Sequence, residues 1–248
     1  MKYIILGVLS FFLVNCKHVG TEKLSAEFII NKSIEVSGAH LVENSKISFD
    51  FRDRHYYANR NNGSFSLVRL NVEANNDSIF DVLSNDGFER HINENESVFV
   101  EDSMQVKYAA SVNSVHYFSV LPYGLNDTAV NKSLLKDVSI SGENYHTIKV
   151  TFNENGGGED YEDVFLYWIN SKTFKIDYLA YSYNEEDGKG LRFREAFNER
   201  YVQDIRFVDY NNYKPKDTSV ALSDLPILFE AGQLKLLSKI ELESVTVN

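Results

Sequence analysis

The sequence predicts a mainly β, α+β fold: a large, strongly curved antiparallel sheet forming a half-barrel, covered or plugged by two or so helices. Three observations carry this expectation. Apolar and polar residues alternate with a period of two through ten or more short runs. Gly, Asn and Asp punctuate most of the gaps, as tight turns require. Two segments instead place their apolar residues at steps of three or four. An open sheet of that size curls and must hide its inner face. The 15 Tyr, 17 Phe and 1 Trp supply the bulk for a core or for an aromatic-lined cavity.

The chain opens with Met1-Lys2, one positive charge, followed by residues 3–14 with none, then Asn15, Cys16 and Lys17. A short basic region, an apolar core and a small-residue zone have the layout of a secretory signal. Twelve helical residues reach about 18 Å, short of a hydrocarbon core of roughly 30 Å, so length excludes a membrane span. Cys16 is the only cysteine and has no disulfide partner. Leu13-Val14-Asn15-Cys16 resembles a bacterial lipobox. The resemblance implies cleavage before Cys16 and acylation of its thiol by chains such as palmitate, each buried CH₂ contributing about 0.8 kcal/mol of anchoring. The expected organisation is a lipoprotein signal peptide over 1–15, a lipidated tether over 16–25 and a single β-rich half-barrel domain over 26–248. Lys17 after the cysteine resembles signals that permit sorting to the outer membrane. The expected location is therefore the cell envelope, lipid-anchored at the outer membrane and facing the periplasm.

Ser25 can cap a helix over 26–37 that Gly38 ends, with Ala26, Ile29, Ile30 and Ile34 on one face. Ile47, Phe49 and Phe51 then alternate with Ser48, Asp50 and Arg52, a half-buried strand. Shorter alternating runs follow at 64–70, 78–83, 87–92 and 97–100. Met104, Tyr108, Val112, Val115 and Ser119 predict a second helix over 103–119, stopped at Leu121-Pro122 because the residue before proline resists the helical region. Strand signals resume at 145–152, 164–169, 174–183, 191–197, 205–210, 234–240 and 241–247. Asn170-Ser171-Lys172-Thr173 has the composition of the turn in a long hairpin.

Several stretches look familiar. Ser48-Phe49-Asp50-Phe51-Arg52-Asp53-Arg54-His55-Tyr56 and Asn113-Ser114-Val115-His116-Tyr117-Phe118-Ser119-Val120-Leu121-Pro122 resemble a family of bacterial lipoproteins of unknown function. So do the segment from Gly156-Gly157-Gly158-Glu159-Asp160 to Tyr181-Ser182-Tyr183, and Gly190-Leu191-Arg192-Phe193-Arg194-Glu195-Ala196-Phe197-Asn198. The likeness spans roughly 26–248 and implies no activity. In architecture alone the pattern resembles the LolA/LolB lipoprotein carriers, half-barrels closed by helices around an apolar acyl-binding cavity. No LolA/LolB motif is matched, so no residue role carries over.

The formal charge of −11 argues against a nucleic-acid partner, which demands basic stripes. Gly156-Gly157-Gly158 followed by Glu159, Asp160, Glu162 and Asp163 offers oxygen ligands suited to Ca²⁺ but lacks the EF-hand spacing, and reads as a flexible turn with solvated acids. The six histidines show no H-x-x-x-H or H-E-x-x-H pairing. Glu159, Asp160, His40 and His55 are weak metal candidates, and no cofactor is expected. No G-x-S-x-G elbow occurs, so serine chemistry lacks its motif. Paired carboxylates of the glycosidase kind remain open, since they depend on separation in space.

The arginines are more informative. Arg192 and Arg194 lie opposite Leu191 and Phe193 along one strand, and Arg52 and Arg54 repeat the arrangement. Such pairs serve either a solvated face, bonded to acids such as Asp50 and Glu195, or a cavity mouth that holds an anionic headgroup. Tyr178, Tyr181 and Tyr183 either fill the core or line the interior. The leading expectation is a non-enzymatic, membrane-tethered half-barrel that binds a lipid, acyl chain or other hydrophobic ligand. The alternatives are an interaction or scaffold lipoprotein with an unknown protein partner, and an envelope hydrolase.

Overall fold

A computed structural model describes residues 24–93, 96–157, 161–185 and 188–248. Cys16, the leader and most of the tether, and the weak metal candidates Glu159 and Asp160 lie outside the described residues. No helix among the described residues is long and apolar enough to cross a membrane.

The first helix, α1 (Ala26–Val36), begins where the sequence places it: Ser25 is extended and its Oγ accepts the Phe28 amide at 3.2 Å. It ends because Gly38 adopts φ +61°, the left-handed region. A Cβ at Gly38 would sit 1.9 Å from the Asp204 carbonyl oxygen, so glycine also permits a close approach of two backbones. The helix end is held there by the Arg206 amide donating to Ser37 O at 2.9 Å and the Tyr201 hydroxyl donating to Val36 O at 3.1 Å.

After a 3₁₀ turn (Ala39–Asn44) come β1 (Lys46–Phe51), β2 (Arg54–Asn61), β3 (Ser64–Val72), β4 (Ser78–Ser84), β5 (Gly87–Ile92) and β6 (Glu96–Val98). Helix α2 (Asp102–Ser119) crosses over, followed by β7 (Val130–Leu134), β8 (Val138–Ile140), β9 (Glu143–Phe152) and β10 (Val164–Asn170). The chain continues through β11 (Ile176–Glu185), β12 (Gly188–Val202) and β13 (Ile205–Lys214), then a short helix α3 (Leu225–Glu230), and ends in β14 (Lys235–Ile240) and β15 (Glu243–Val247). Asn170 makes the β10–β11 turn: its Oδ1 accepts the amides of Lys172 and Thr173 at 3.0 and 3.2 Å. Strands β2, β7 and β8 and helix α3 are not among the elements expected from the sequence; for β2 the reason is local. Its buried positions are Tyr56, Ala58 and Arg60, so an inward-facing arginine breaks the apolar pattern.

The fold is the mainly β, open and antiparallel one expected, with its strands divided between two sheets. The first runs β15-β1-β2-β3-β4-β5-β6 and the second β14-β13-β12-β11-β10-β9-β7, with β8 paired to β9. Neither sheet closes on itself. Strand β14 ends one sheet and β15 ends the other, and only Glu241 and Leu242 separate them along the chain. Buried Asp209 secures that crossing. It accepts the Leu242 amide at 2.9 Å and the Asn198 side chain at 2.6 Å, and pairs with Arg200 at 3.0 Å. Arg200 in turn donates to Leu242 O, and Asn198 sits at φ +51° in the β12 bulge that opens this space.

Three apolar clusters result. Ile29 and Ile30 of α1, with Leu121 and Leu125, pack on Ile148, Tyr167, Ile169 and Leu179 of the second sheet. Val112 and Val120 pack on Ile47, Phe49, Tyr56, Ala58 and Leu67 of the first sheet. The opposite face of the second sheet buries Leu166, Trp168, Tyr178 and Phe193 under Leu225 and Phe229. Because the second sheet is covered on both faces, β10 reads Val-Phe-Leu-Tyr-Trp-Ile-Asn without alternation.

Candidate ligand cavity

A cavity of about 760 Å³ lies between α2 and the inner face of the second sheet. The helix contributes Val106, Ala110, Asn113 and Tyr117, one stripe at steps of three and four. The sheet contributes alternate residues of successive strands: Tyr181 and Tyr183 of β11, Arg192 and Arg194 of β12, Val208 and Tyr210 of β13, Ser238 and Ile240 of β14. Phe51, Arg52 and Leu83 reach it from the first sheet. On the opposite stripe of α2, Val112 and His116 are buried. His116, only 1% exposed, donates from Nε2 to Val68 O at 3.2 Å and lies edge-on to Phe49 and Tyr56. Burial, helped by the Arg60 charge, holds its pKa down at about 3, so it is a neutral core residue.

The wall is aromatic. Phe165 stacks on Tyr181 at 5.3 Å, and Phe118 of α2 meets both rings at 6.2 and 5.4 Å. Tyr117 and Tyr167 share a hydroxyl hydrogen bond of 2.6 Å. Burial pushes the phenols of Tyr117, Tyr167 and Tyr210 up, so all three stay neutral. Tyr183 lies across Gly190, its register partner. A Cβ there would fall 2.2 Å from the ring, so glycine makes room for the tyrosine.

Of the residues singled out in the sequence, five line the cavity, and four of these converge on one sheet face. Arg192 and Arg194 share the cavity face with Tyr181 and Tyr183, and Tyr181 is in register with Arg192. The Arg194 guanidinium sits 3.9 Å from the Phe118 centroid and 5.1 Å from that of Tyr181, and donates to the Tyr181 hydroxyl at 2.8 Å. Arg192 lies 4.9 Å over Tyr183 and donates to Leu191 O at 3.0 Å.

The others separate. Arg52 and Arg54 do not repeat the Arg192/Arg194 arrangement, because Arg52 occupies φ +58° in the β1–β2 turn and the strand parity restarts after it. Arg52 stays at the cavity rim against Phe51, whereas Arg54 lines a polar cleft with Arg69, Asp81 and Arg90. Tyr178 is on the outer face, 5.7 Å from Phe193 and 5.8 Å from Phe229; one step of parity separates it from Tyr181. His40 is exposed in the 3₁₀ turn, and His55 bonds to Asp50 on the surface. Among the described residues no group of three or more His, Cys, Asp and Glu is placed to hold a metal ion. Val106, Ala110, Asn113 and Tyr117 were not foreseen as a lining stripe. Their 3.6-residue spacing carries the signal, but the stripe through Met104, Tyr108, Val112 and Val115 is more apolar and masks it.

The architecture matches known structures. A LolA superfamily protein from Nitrosomonas europaea superposes with a TM-score of 0.50 at 10% identity, covering 91% of this chain and 92% of that one. A DUF1329 family protein from Desulfovibrio piger gives 0.43 at 9% identity over 89% and 92%. An outer membrane lipoprotein-sorting protein domain from Vibrio parahaemolyticus gives 0.38 at 7% identity over 79% and 96%. At such identities the likeness of the first concerns the fold alone, which is LolA-like. No curated protein sequence matches the chain. A family model does match, over residues 2–242, and the chain thereby belongs to the family of unknown function DUF6503.

Proposed function

We propose that the protein is a membrane-tethered envelope lipoprotein that holds a lipid, an acyl chain or a comparable apolar molecule in the cavity beneath α2. The observation that carries this reading is the cavity itself, about 760 Å³ of space that Phe118, Phe165, Tyr181 and Ile240 surround rather than fill. Small-molecule sites run from about 300 to 1,000 Å³ and are mostly apolar with a few polar groups, as this lining is. Taking about 250 Å² of apolar ligand surface out of water contributes roughly 6 kcal/mol before ordering costs are subtracted. The lipobox-like leader supports the rest of the reading. Residues 1–15 are removed, acylated Cys16 anchors a tether to residue 25, and 26–248 form one unit at the outer membrane, facing the periplasm.

Native mass spectrometry of the protein purified intact from bacterial membranes tests the ligand. The chain is expected to carry one hydrophobic molecule and, once stripped, to take up the neutral dye Nile red. A chain that emerges empty and leaves Nile red dark overturns the proposal. Anchoring is tested separately with Cys16→Ser, which is expected to lose palmitate labelling and to leave the membrane fraction.

A further inference from the structure

We propose that the apolar ligand carries a carboxylate head and that Arg194 receives it; this rests on the cavity being a ligand site. Arg194 is 8% exposed, yet the Tyr181 hydroxyl is the single acceptor for its guanidinium among the described residues. Its Nε is buried without a partner among the described residues. Two of the other three buried arginines pair with carboxylates. Arg69 pairs with Asp81 at 2.6 Å, and Arg206 pairs with Glu199 at 2.9 Å and Asp177 at 3.6 Å; Arg60, whose Nη1 is also buried without a partner among the described residues, lies over the Tyr123 ring in the field of Glu43, away from the cavity lining. Arg194 instead faces the rings of Phe118, Tyr181 and Tyr210 and opens onto the cavity.

A guanidinium removed from water without an anion is costly, and most of its N–H donors here await an acceptor. Aromatic faces ease the charge but supply no hydrogen-bond acceptor in the plane of the fork. A carboxylate entering from the cavity supplies both the charge and the planar acceptor pair. Several features favour one negative charge over two. One guanidinium is buried at this point, Asp163 also lines the cavity, and the whole chain is formally −11. Arg52, exposed at the rim, and Arg192, half-buried, line the cavity as well but lie over Phe51 and Tyr183, while the other polar lining, including Asn113, Asn212 and Ser238, is neutral.

The test uses the full chain and three probes of equal chain length: dodecanoate, dodecan-1-ol and dodecylamine, each measured by displacement of Nile red. Dodecanoate is expected to bind on the order of 10- to 100-fold tighter than dodecan-1-ol, the usual gain from charge-assisted hydrogen bonds, and dodecylamine weakest of the three. In Arg194→Met the anionic and neutral probes converge: dodecanoate loses its advantage while dodecan-1-ol binds as before. Because the replaced charge is unpaired, the empty variant is expected to melt no lower than the parent. Arg194→Lys, which keeps the charge without the fork, is expected to retain a reduced preference and stands in if the methionine variant does not fold. Equal binding of dodecanoate and dodecan-1-ol by the parent overturns the carboxylate assignment and leaves the apolar-ligand function intact. Failure of every probe to displace the dye overturns that function as well. A destabilised Arg194→Met that keeps the full preference assigns Arg194 a purely structural role.

Discussion

Gly38→Ala isolates the contact on which the placement of α1 depends. Two costs add. Alanine in the left-handed region at φ +61° is strained by about 1–2 kcal/mol. Its Cβ would then lie 1.9 Å from the Asp204 carbonyl oxygen, which is backbone and can move only by displacing the β12–β13 turn, at roughly a further 1–3 kcal/mol. The total, about 2–5 kcal/mol, corresponds to a fall in melting temperature of roughly 5–15 °C for a chain of this size. Gly232→Ala is the internal control. Gly232 follows α3 at φ +66°, with nothing within 4 Å of the added Cβ, so strain acts there without the clash. Thermal unfolding of both variants, followed by circular dichroism, is expected to show the larger loss at Gly38 by at least a few degrees. Equal losses would refute the close approach of the α1 end to the β12–β13 turn, and with it the account of why α1 sits over the second sheet.

Three further outcomes are expected. Ser25→Ala removes the acceptor of the Phe28 amide and should cost about 1 kcal/mol in denaturant titration, with Nile red fluorescence unchanged from the parent. His116 has its folded pKa at about 3, below its unfolded value near 6.5, so its contribution is complete above about 6.5 and is lost as pH falls toward 3. From pH 7 to pH 5 the parent should therefore lose on the order of 2 kcal/mol through this group. His116→Phe, which cannot titrate, should show a correspondingly smaller loss over the same interval. Ala110→Trp places a large ring into the cavity from α2 and should weaken Nile red uptake about tenfold or more, with an unchanged circular dichroism spectrum.

Much of the architecture is legible in the sequence because the first sheet covers its core on one face, so its strands alternate. Ile47, Phe49 and Phe51 announce β1 in this way, and the Ser25 cap and Gly38 stop announce α1 by local chemistry alone. Where burial is two-sided the pattern disappears, as in β10, and where a buried position is an arginine it misleads, as in β2. Sheet division is not written locally at all, since it turns on Asp209 meeting Leu242, residues brought together only by folding. The site follows the same rule. Parity along β12 pairs Arg192 with Arg194 correctly, while parity along β11 separates Tyr178 from Tyr181. The turn at Arg52 resets the count for Arg54. Which stripe of α2 faces the space is decided by what packs against the other stripe, and that is tertiary information.

The arrangement of strand ends has a bearing on crowding. Exposed backbone ladders invite neighbouring chains to add themselves, and proteins held at high local density suffer most. Here β14 and β15 follow one another directly along the chain, and β15 lies beside β12, so those two borders turn toward the molecule's own seam. Of the remaining two, β6 is three residues long and β7 carries Lys132 at its centre, engaged by Glu27 of α1 at 3.0 Å. A curved shell built from so many strands thus offers little free margin on which copies of itself can stack.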